Sequence, residues 1–130
     1  MKNVLIISML ALFFISCNAQ TSKPESTDLQ EATTAEIEMI IEDVDVAKFE
    51  ELIATGDGLL LDVRTPEEYD QCHLKDTKHI DFFSDNFGDE LSGLDPETPV
   101  YVYCRSGRRS GNAAKMMHDM GFKAVYNLKG

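Results

Sequence analysis

The spacing of hydrophobic residues changes several times along the chain, and each change predicts the boundary of an element. Two continuous apolar runs, at 59–63 and 100–103, are typical of strands that are covered on both faces. Apolar stretches at 37–41, 79–83 and 124–128 predict three further strands. A helical pattern lies between each pair of consecutive strands.

Start and stop signals define the first two of these helices. Asp45 can act as the N-cap of the first helix, and Gly56 can end it. Thr65 as N-cap, Pro66 at the first helical position and Glu68 three residues after the cap predict that a second helix starts at residue 66. Both helices therefore have well-specified beginnings.

Two more helices are predicted in the second half of the chain. Residues 87–94 predict a short helix before a turn at 95–96. A longer helix ends at Gly121 and has helically spaced apolar positions that we expect in the core, at Ala113, Met116, Met117 and Met120. Strands that alternate with helices need crossover connections. The sequence therefore predicts an α/β fold with a mostly parallel sheet and a reactive site at the carboxyl ends of its strands.

The first 36 residues follow a different pattern. Lys2 precedes twelve residues, 4–15, that are apolar except for Ser8. Such a run is shorter than the roughly 20 residues that cross a bilayer core, and it is typical of a signal peptide. Residues 18–36 are rich in Ser, Thr, Gln and Glu without apolar periodicity, which is typical of a flexible tether. We therefore expect a signal peptide at 1–16, a tether at 17–36 and one globular domain at 37–130.

Composition excludes several classes of partner. The formal net charge of -11 disfavours binding to nucleic acid or to an acidic membrane surface, because both would repel the chain. The three cysteines, at 17, 72 and 104, are too few and too dispersed for a disulfide framework or a zinc site. The three histidines do not fall into ligand spacing with them, so we expect no metal and interpret the histidines as surface or packing residues.

The loop after the fourth predicted strand contains the main candidate for chemistry. It consists of Cys104, Arg105, Ser106, Gly107, Arg108, Arg109 and Ser110. A tight turn at Gly107 could point its backbone amides inward, and amides at a helix N-terminus together with arginines favour a thiolate over a thiol. Cys104 is therefore a candidate nucleophile in a pocket that binds small anions.

The spacing within this loop separates two kinds of anion chemistry. Four residues lie between Cys104 and Arg109. Cysteine-based phosphatases are characterised by a longer loop, Cys-x5-Arg, usually with histidine before the cysteine. Here Ser110 occupies the arginine position and Tyr103 the histidine position, so phosphatase activity ranks last among the candidates.

Residues from about 44 to 130 resemble a single rhodanese domain. The resemblance rests on 61–69, His73, the loop 104–110 and the closing strand 127–130. It implies a mostly parallel central sheet with helices on both faces. It also implies a sulfurtransferase without a cofactor, in which the Cys104 thiolate takes sulfur from thiosulfate or a similar donor, holds it as a persulfide and passes it to cyanide or a thiol.

The resemblance also implies roles for the rest of the loop. The amides from Arg105 to Arg109 would stabilise the persulfide, and Arg109 and Ser110 would help to fix the loop. Arg108 is expected to be exposed and to select an anionic donor. Two alternatives stay open: a carrier of persulfide or a thiol redox partner in the cell envelope, and an inactive rhodanese-like binding module.

Three features outside the loop 104–110 each allow two interpretations. Asp62 and Arg64 lie at a predicted strand end, where they could form a partly buried ion pair that fixes the loop or could contact substrate directly. Cys72 replaces a glycine of the family pattern and could be a resolving thiol for Cys104 or a half-buried packing residue. The family's final helix is missing after Gly130, as expected for a natural short form or for a fragment that leaves one sheet face bare.

The end of the apolar segment resembles a bacterial lipobox. The residues 14–17 read Phe-Ile-Ser-Cys, with phenylalanine where leucine is commoner. This resemblance implies that Cys17 carries a lipid and becomes the mature N-terminus. We therefore expect the domain to be anchored to a bacterial membrane in the cell envelope, in the periplasm or at the cell surface.

Overall fold

The structure is a computed structural model, and it describes residues 38–130. The expected signal peptide at 1–16, the tether at 17–36 and the lipidation of Cys17 lie outside the described residues, so they stay predictions. The described part of the chain contains β1 Ile40–Val44, α1 Val46–Thr55, β2 Leu59–Asp62, α2 Pro66–Gln71, β3 Lys78–His79, α3 Phe87–Ser92, β4 Val100–Tyr103, α4 Arg108–Asp119 and β5 Ala124–Leu128.

The strands form one parallel sheet with the order β1-β5-β4-β2-β3. Strand β4 lies in the middle of this sheet, and β1 and β3 lie at its edges. The predicted parallel α/β architecture is confirmed. Because all strands run in the same direction, their carboxyl ends share one edge, and the loops after β2 and β4 meet there.

The sheet has an apolar core on each face. On one face, Val100 and Val102 of β4 pack with residues of α3 and α4, including Leu91 and Met117. On the other face, Tyr101 and Tyr103 contact Phe49 of α1, with both ring centroids 6.4 Å from that of Phe49. The alternating directions of side chains along β4 explain this division, and helices on both faces are confirmed.

The local signals for helix ends act as predicted. The Asp45 side chain accepts a hydrogen bond from the Lys48 amide, and Gly56 ends α1 in the left-handed region with φ of 75°. Thr65 and Glu68 form a reciprocal capping box at the start of α2. These ends depend on a few neighbouring residues, so sequence alone identifies them.

Two strands differ from prediction. β1 spans Ile40–Val44 rather than 37–41, because its register is set by parallel pairing with β5; Ile40 and Ile41 are exposed. β3 contains only Lys78–His79 instead of 79–83. There the Asp81 side chain accepts a hydrogen bond from the Phe83 amide and turns the chain away from the sheet.

The methionines of α4 are only partly in the core. Met117 is fully buried and Met116 packs against the core, but Met120 is 40% exposed. The expectation for Met120 was wrong because α4 ends at Asp119 and Met120 is its C-cap.

In residues 38–130, no helix is long and apolar enough to span a membrane.

Candidate active site

Cys104 directly follows β4 at the carboxyl edge of the sheet, and its side chain is buried. The chain then turns at Gly107, whose φ of 77° lies in the left-handed region, and α4 begins at Arg108. Gly107 is the N-cap of α4, and no side chain in the described part of the chain caps this helix. The amides of its first turn are therefore available to another acceptor.

The Cys104 sulfur takes the place of that acceptor. It accepts a hydrogen bond from the Ser110 hydroxyl, with 3.3 Å between Oγ and Sγ, and further bonds from the amides of Ser106, Arg109 and Ser110. Burial by itself raises the pKa of the thiol, but these hydrogen bonds outweigh burial and leave the pKa of Cys104 below its usual value. The site therefore favours a thiolate, which is the nucleophilic form of cysteine.

Arg109 joins this loop to α2. Its guanidinium donates hydrogen bonds of 2.7 and 2.9 Å to the two carboxylate oxygens of Glu68. The pair lowers the pKa of Glu68 to about 2, chiefly through the hydrogen bonds from Arg109. Glu68 raises the pKa of Arg109, and the Cys104 sulfur adds to that rise. Arg109 thus lies next to the sulfur while its charge is largely balanced by Glu68.

Asp62 and Arg64 form an ion pair beside the loop. The guanidinium of Arg64 donates to both oxygens of Asp62, with Nε and Nη2 at 2.9 and 2.6 Å from Oδ2, and Asp62 is completely buried. Arg64 also donates to the carbonyl of Cys72 at 2.6 Å, and its own carbonyl lies 2.8 Å from Nε2 of His79. Arg64 therefore connects the end of β2 to Cys72 after α2 and to His79 in β3.

The loop 104–110 packs tightly against the last residue of β5 and the residues that follow it. A Cβ atom on Gly107 would lie 3.0 Å from the Leu128 carbonyl oxygen and 3.1 Å from the Lys129 Cα. A Cβ atom on Gly130 would lie 3.0 Å from the Ser106 Cα. Gly107 is therefore required both for its positive φ and for this close approach of two backbones.

This geometry agrees with comparison to known families. The family profile described as "Rhodanese-like domain" matches residues 45–130. The chain belongs to the rhodanese-like family.

Relatives of this rhodanese-like chain include named sulfur-transfer proteins. It is 35% identical over 80 residues to the thiosulfate sulfurtransferase GlpE of Actinobacillus pleuropneumoniae, a match that covers 62% of this chain and 72% of GlpE. It is 33% identical over 89 residues to the putative sulfur carrier protein YrkF of Bacillus subtilis, covering 68% of this chain and 47% of YrkF. The chain thus spans about half the length of YrkF. These relatives support a sulfurtransferase or sulfur-carrier activity.

A solved structure supports the rhodanese fold. The human single-domain sulfurtransferase TSTD1 superimposes with a TM-score of 0.57 at 19% identity, covering 68% of this chain and 88% of TSTD1. At that identity, the likeness shows the fold alone.

Within the rhodanese loop, the three arginines have different surroundings. The side chains of Arg105 and Arg108 are exposed, whereas Arg109 is partly buried against Glu68. Ser106 is exposed and Ser110 is completely buried beside the sulfur. Arg105 and Arg108 therefore present positive charge to an approaching anion, while Arg109 and Ser110 face inward.

Cys72 differs from one expectation. It is exposed rather than half-buried, because it is the C-cap of α2 and only its carbonyl is held by Arg64. Cys72 and Cys104 are both free thiols.

The histidines have packing contacts rather than ligand geometry. His73 and His79 both stack on Tyr69, with ring centroids 3.8 and 4.4 Å from that of Tyr69. His118 lies beside Asp119, with 3.7 Å between Nδ1 and Oδ1. Residues 38–130 contain no group of three or more possible metal ligands.

Three contacts of the loop were not predicted from the sequence. Glu68 had a role only in the capping box, yet it also binds Arg109. Phe83, which is 66% exposed, lies over Arg109 with its ring centroid 5.8 Å from Cζ. Asn127 of β5 donates to the Gly107 carbonyl. Only Asn127 left a signal in the sequence, as a polar residue in an otherwise apolar strand.

Proposed function

We propose that the protein is a sulfurtransferase that carries sulfane sulfur as a persulfide on Cys104. The observation that carries this proposal is the set of hydrogen bonds from the Ser110 hydroxyl and three loop amides to one buried sulfur. Such a site can hold a thiolate in its resting state and the terminal anion of a persulfide after reaction. Both forms are stabilised by the same preorganised donors.

The proposed reaction has two displacement steps. The Cys104 thiolate attacks the outer sulfur of thiosulfate; a new S–S bond forms, the S–S bond of thiosulfate breaks, and its electron pair leaves with sulfite. Cyanide or an acceptor thiolate then attacks the outer sulfur of the persulfide and restores the Cys104 thiolate. Each step exchanges one nucleophile for another, so the pair needs no external oxidant and no cofactor. Exposed Arg105 and Arg108 attract the anionic donor.

Intact mass spectrometry tests this function directly. After incubation with thiosulfate, the peptide that contains Cys104 should gain one sulfur atom, and addition of cyanide should remove it as thiocyanate. Cys104→Ser should abolish both results. Cys72→Ser is the matched control and should keep both, because Cys72 is exposed and serves neither step. If no donor adds sulfur to Cys104, the chain is an inactive binding module instead.

A second candidate is a persulfide carrier or thiol redox partner with a protein acceptor. It is favoured by the exposed, free Cys72 and by the similarity to the putative sulfur carrier YrkF. A disulfide between Cys72 and Cys104 in the oxidised protein would favour this candidate. Rapid sulfur uptake combined with very slow transfer to cyanide would favour it as well.

We further propose that a lipid on Cys17 anchors the domain to a bacterial membrane, in the periplasm or at the cell surface. The support is the lipobox-like sequence at 14–17 after an apolar segment. In bacterial cells that express the full chain, the protein should partition with membranes, and Cys17→Ala should release it or block its processing. Unchanged membrane association of Cys17→Ala would contradict the anchor.

A further inference from the structure

Asn127 occupies a position in β5 where the pattern of the strand calls for an apolar side chain. Val125 and Asn127 are the two buried residues of β5, and Asn127 is only 3% exposed. Its Nδ2 donates to the Asp43 carboxylate at 2.7 Å and to the Gly107 carbonyl at 3.2 Å. The amide therefore joins the edge strand β1 to the active-site loop.

The fold by itself does not account for this amide. Within the described residues, Oδ1 of Asn127 is buried without a hydrogen-bond partner, an arrangement that destabilises a fold. Helix α4 approaches so closely at Gly111 that a Cβ atom there would lie 3.1 Å from Nδ2. An apolar side chain would avoid the unpaired oxygen, so the contacts that distinguish asparagine are its hydrogen bonds to the loop and to Asp43.

The Gly107 carbonyl oxygen accepts two hydrogen bonds at the start of α4. Besides the bond from Asn127, it accepts the first hydrogen bond of α4, from the Gly111 amide at 2.9 Å. In a trans peptide the carbonyl and the following N–H point in opposite directions, so two donors on this oxygen fix the plane of the first peptide of α4. That plane sets the direction of the next amides, those of Arg109 and Ser110, which bind the sulfur.

We propose that Asn127, held in place by Asp43, is a positioning residue that aims the first-turn amides of α4 at the Cys104 sulfur. This inference rests on the proposed function only in taking Cys104 as the reactive thiol. Asp43 is exposed and contacts the loop through Asn127, so it orients the amide from outside the core. A charged acceptor gives a stronger hydrogen bond than a neutral one, which suits such a role.

The test is the rate of alkylation of Cys104 by iodoacetamide as a function of pH, followed on the Cys104 peptide by mass spectrometry. In Asn127→Leu, the midpoint of the profile should move up by about half a pH unit, so that alkylation below the midpoint falls about threefold. The matched control is Asn112→Ala, which removes an exposed amide of α4 from the groove that Asp43, Gly107 and Asn127 also line; it should leave the profile unchanged.

Asp43→Ala gives a test of sign, and it keeps the inference testable if Asn127→Leu fails to fold. Removing a nearby negative charge would by itself lower the pKa of a thiol, whereas loss of positioning raises it. A midpoint that moves up in Asp43→Ala supports the inference. An unchanged or lowered midpoint, with or without reduced thermal stability, overturns it and leaves Asn127 a purely structural residue. Alkylation needs no sulfur donor, so failure of sulfur uptake would refute the proposed function without affecting this result.

Discussion

The Glu68 carboxylate and the Arg109 guanidinium face each other with two hydrogen bonds of 2.7 and 2.9 Å, although the residues are 41 positions apart. Glu68 also accepts a bond from the Thr65 amide in the capping box of α2. One carboxylate therefore ties together the N-terminal turns of α2 and α4. Because α4 begins within the loop 104–110, this contact both stabilises the folded domain and holds the loop around Cys104 in place.

The same pair predicts how stability depends on pH. The folded-state pKa of Glu68 is about 2, below its ordinary 4.5, so its contribution is complete above about 4.5 and is lost as the pH falls towards 2. Glu68→Gln should lower the free energy of unfolding at pH 7 by about 1–3 kcal/mol. In this variant the free energy of unfolding should also decrease less between pH 4.5 and 2 than it does in the unmodified protein. Urea denaturation at pH 7, 4.5 and 2 measures both effects. Glu90→Gln, an exposed residue of α3, should change neither value.

Ser110→Ala should make Cys104 a weaker acid. The variant removes the buried hydroxyl that donates to the sulfur at 3.3 Å, and that bond is the largest influence lowering the pKa of Cys104. Loss of about 1 kcal/mol corresponds to about a fivefold lower rate of alkylation below the midpoint of the pH profile. Ser106→Ala, which removes an exposed hydroxyl of the same loop, should leave the profile in place. Equal effects of both changes would contradict the role of the Ser110 hydroxyl.

Arg64→Met separates the two interpretations of the Asp62–Arg64 pair. If the pair is structural, the variant leaves a fully buried carboxylate without its partner and should lower the free energy of unfolding by about 3–5 kcal/mol. The folded fraction should keep its KM for thiosulfate. Lys48→Met breaks an exposed pair with Glu51 and should cost no more than about 1 kcal/mol. A raised KM with little loss of stability would instead favour direct contact with substrate.

Arg108→Ala should weaken capture of the anionic donor while leaving the chemistry intact. Arg108 is exposed at the start of α4, and one exposed charge contact contributes up to about 1 kcal/mol. We expect the KM for thiosulfate to rise about two- to fivefold with little change in kcat, measured by thiocyanate formation. Lys115→Ala removes the same charge from an exposed position further along α4. If it raises KM equally, the effect is one of net charge and not of position.

Gly107→Ala should damage the site far more than a glycine replacement of similar backbone strain elsewhere. Gly107 and Gly121 have φ of 77° and 89°, where alanine costs about 1–2 kcal/mol. At Gly107 the new Cβ would also meet the Leu128 carbonyl at 3.0 Å, whereas at Gly121 it meets nothing within 4 Å. Thermal unfolding and sulfur uptake at Cys104 should both fall further in Gly107→Ala. Equal losses would show that close packing against residues 128–130 is unimportant.

Much of the fold could be predicted because its signals are local. The capping box of Thr65 and Glu68, the cap at Asp45 and the apolar run of β4 each involve a few adjacent residues, and all were confirmed. Short segments likewise carried the resemblance to rhodaneses, namely 61–69, His73, the loop 104–110 and the closing strand 127–130, and the family assignment is confirmed. Propensity, capping and side-chain alternation act over one or two turns, so the sequence alone contains them.

Tertiary structure decided what these local pieces contact. The register of β1 depends on its pairing with β5, and β3 is cut short by the turn at Asp81. The sequence places Arg109 in an anion-binding loop, but only the folded chain shows that Glu68 binds it. Asn127 likewise lies 84 positions from Asp43 and 20 from Gly107. Such contacts depend on the spatial order of the strands in the sheet, and the local periodicity of the sequence does not contain that order.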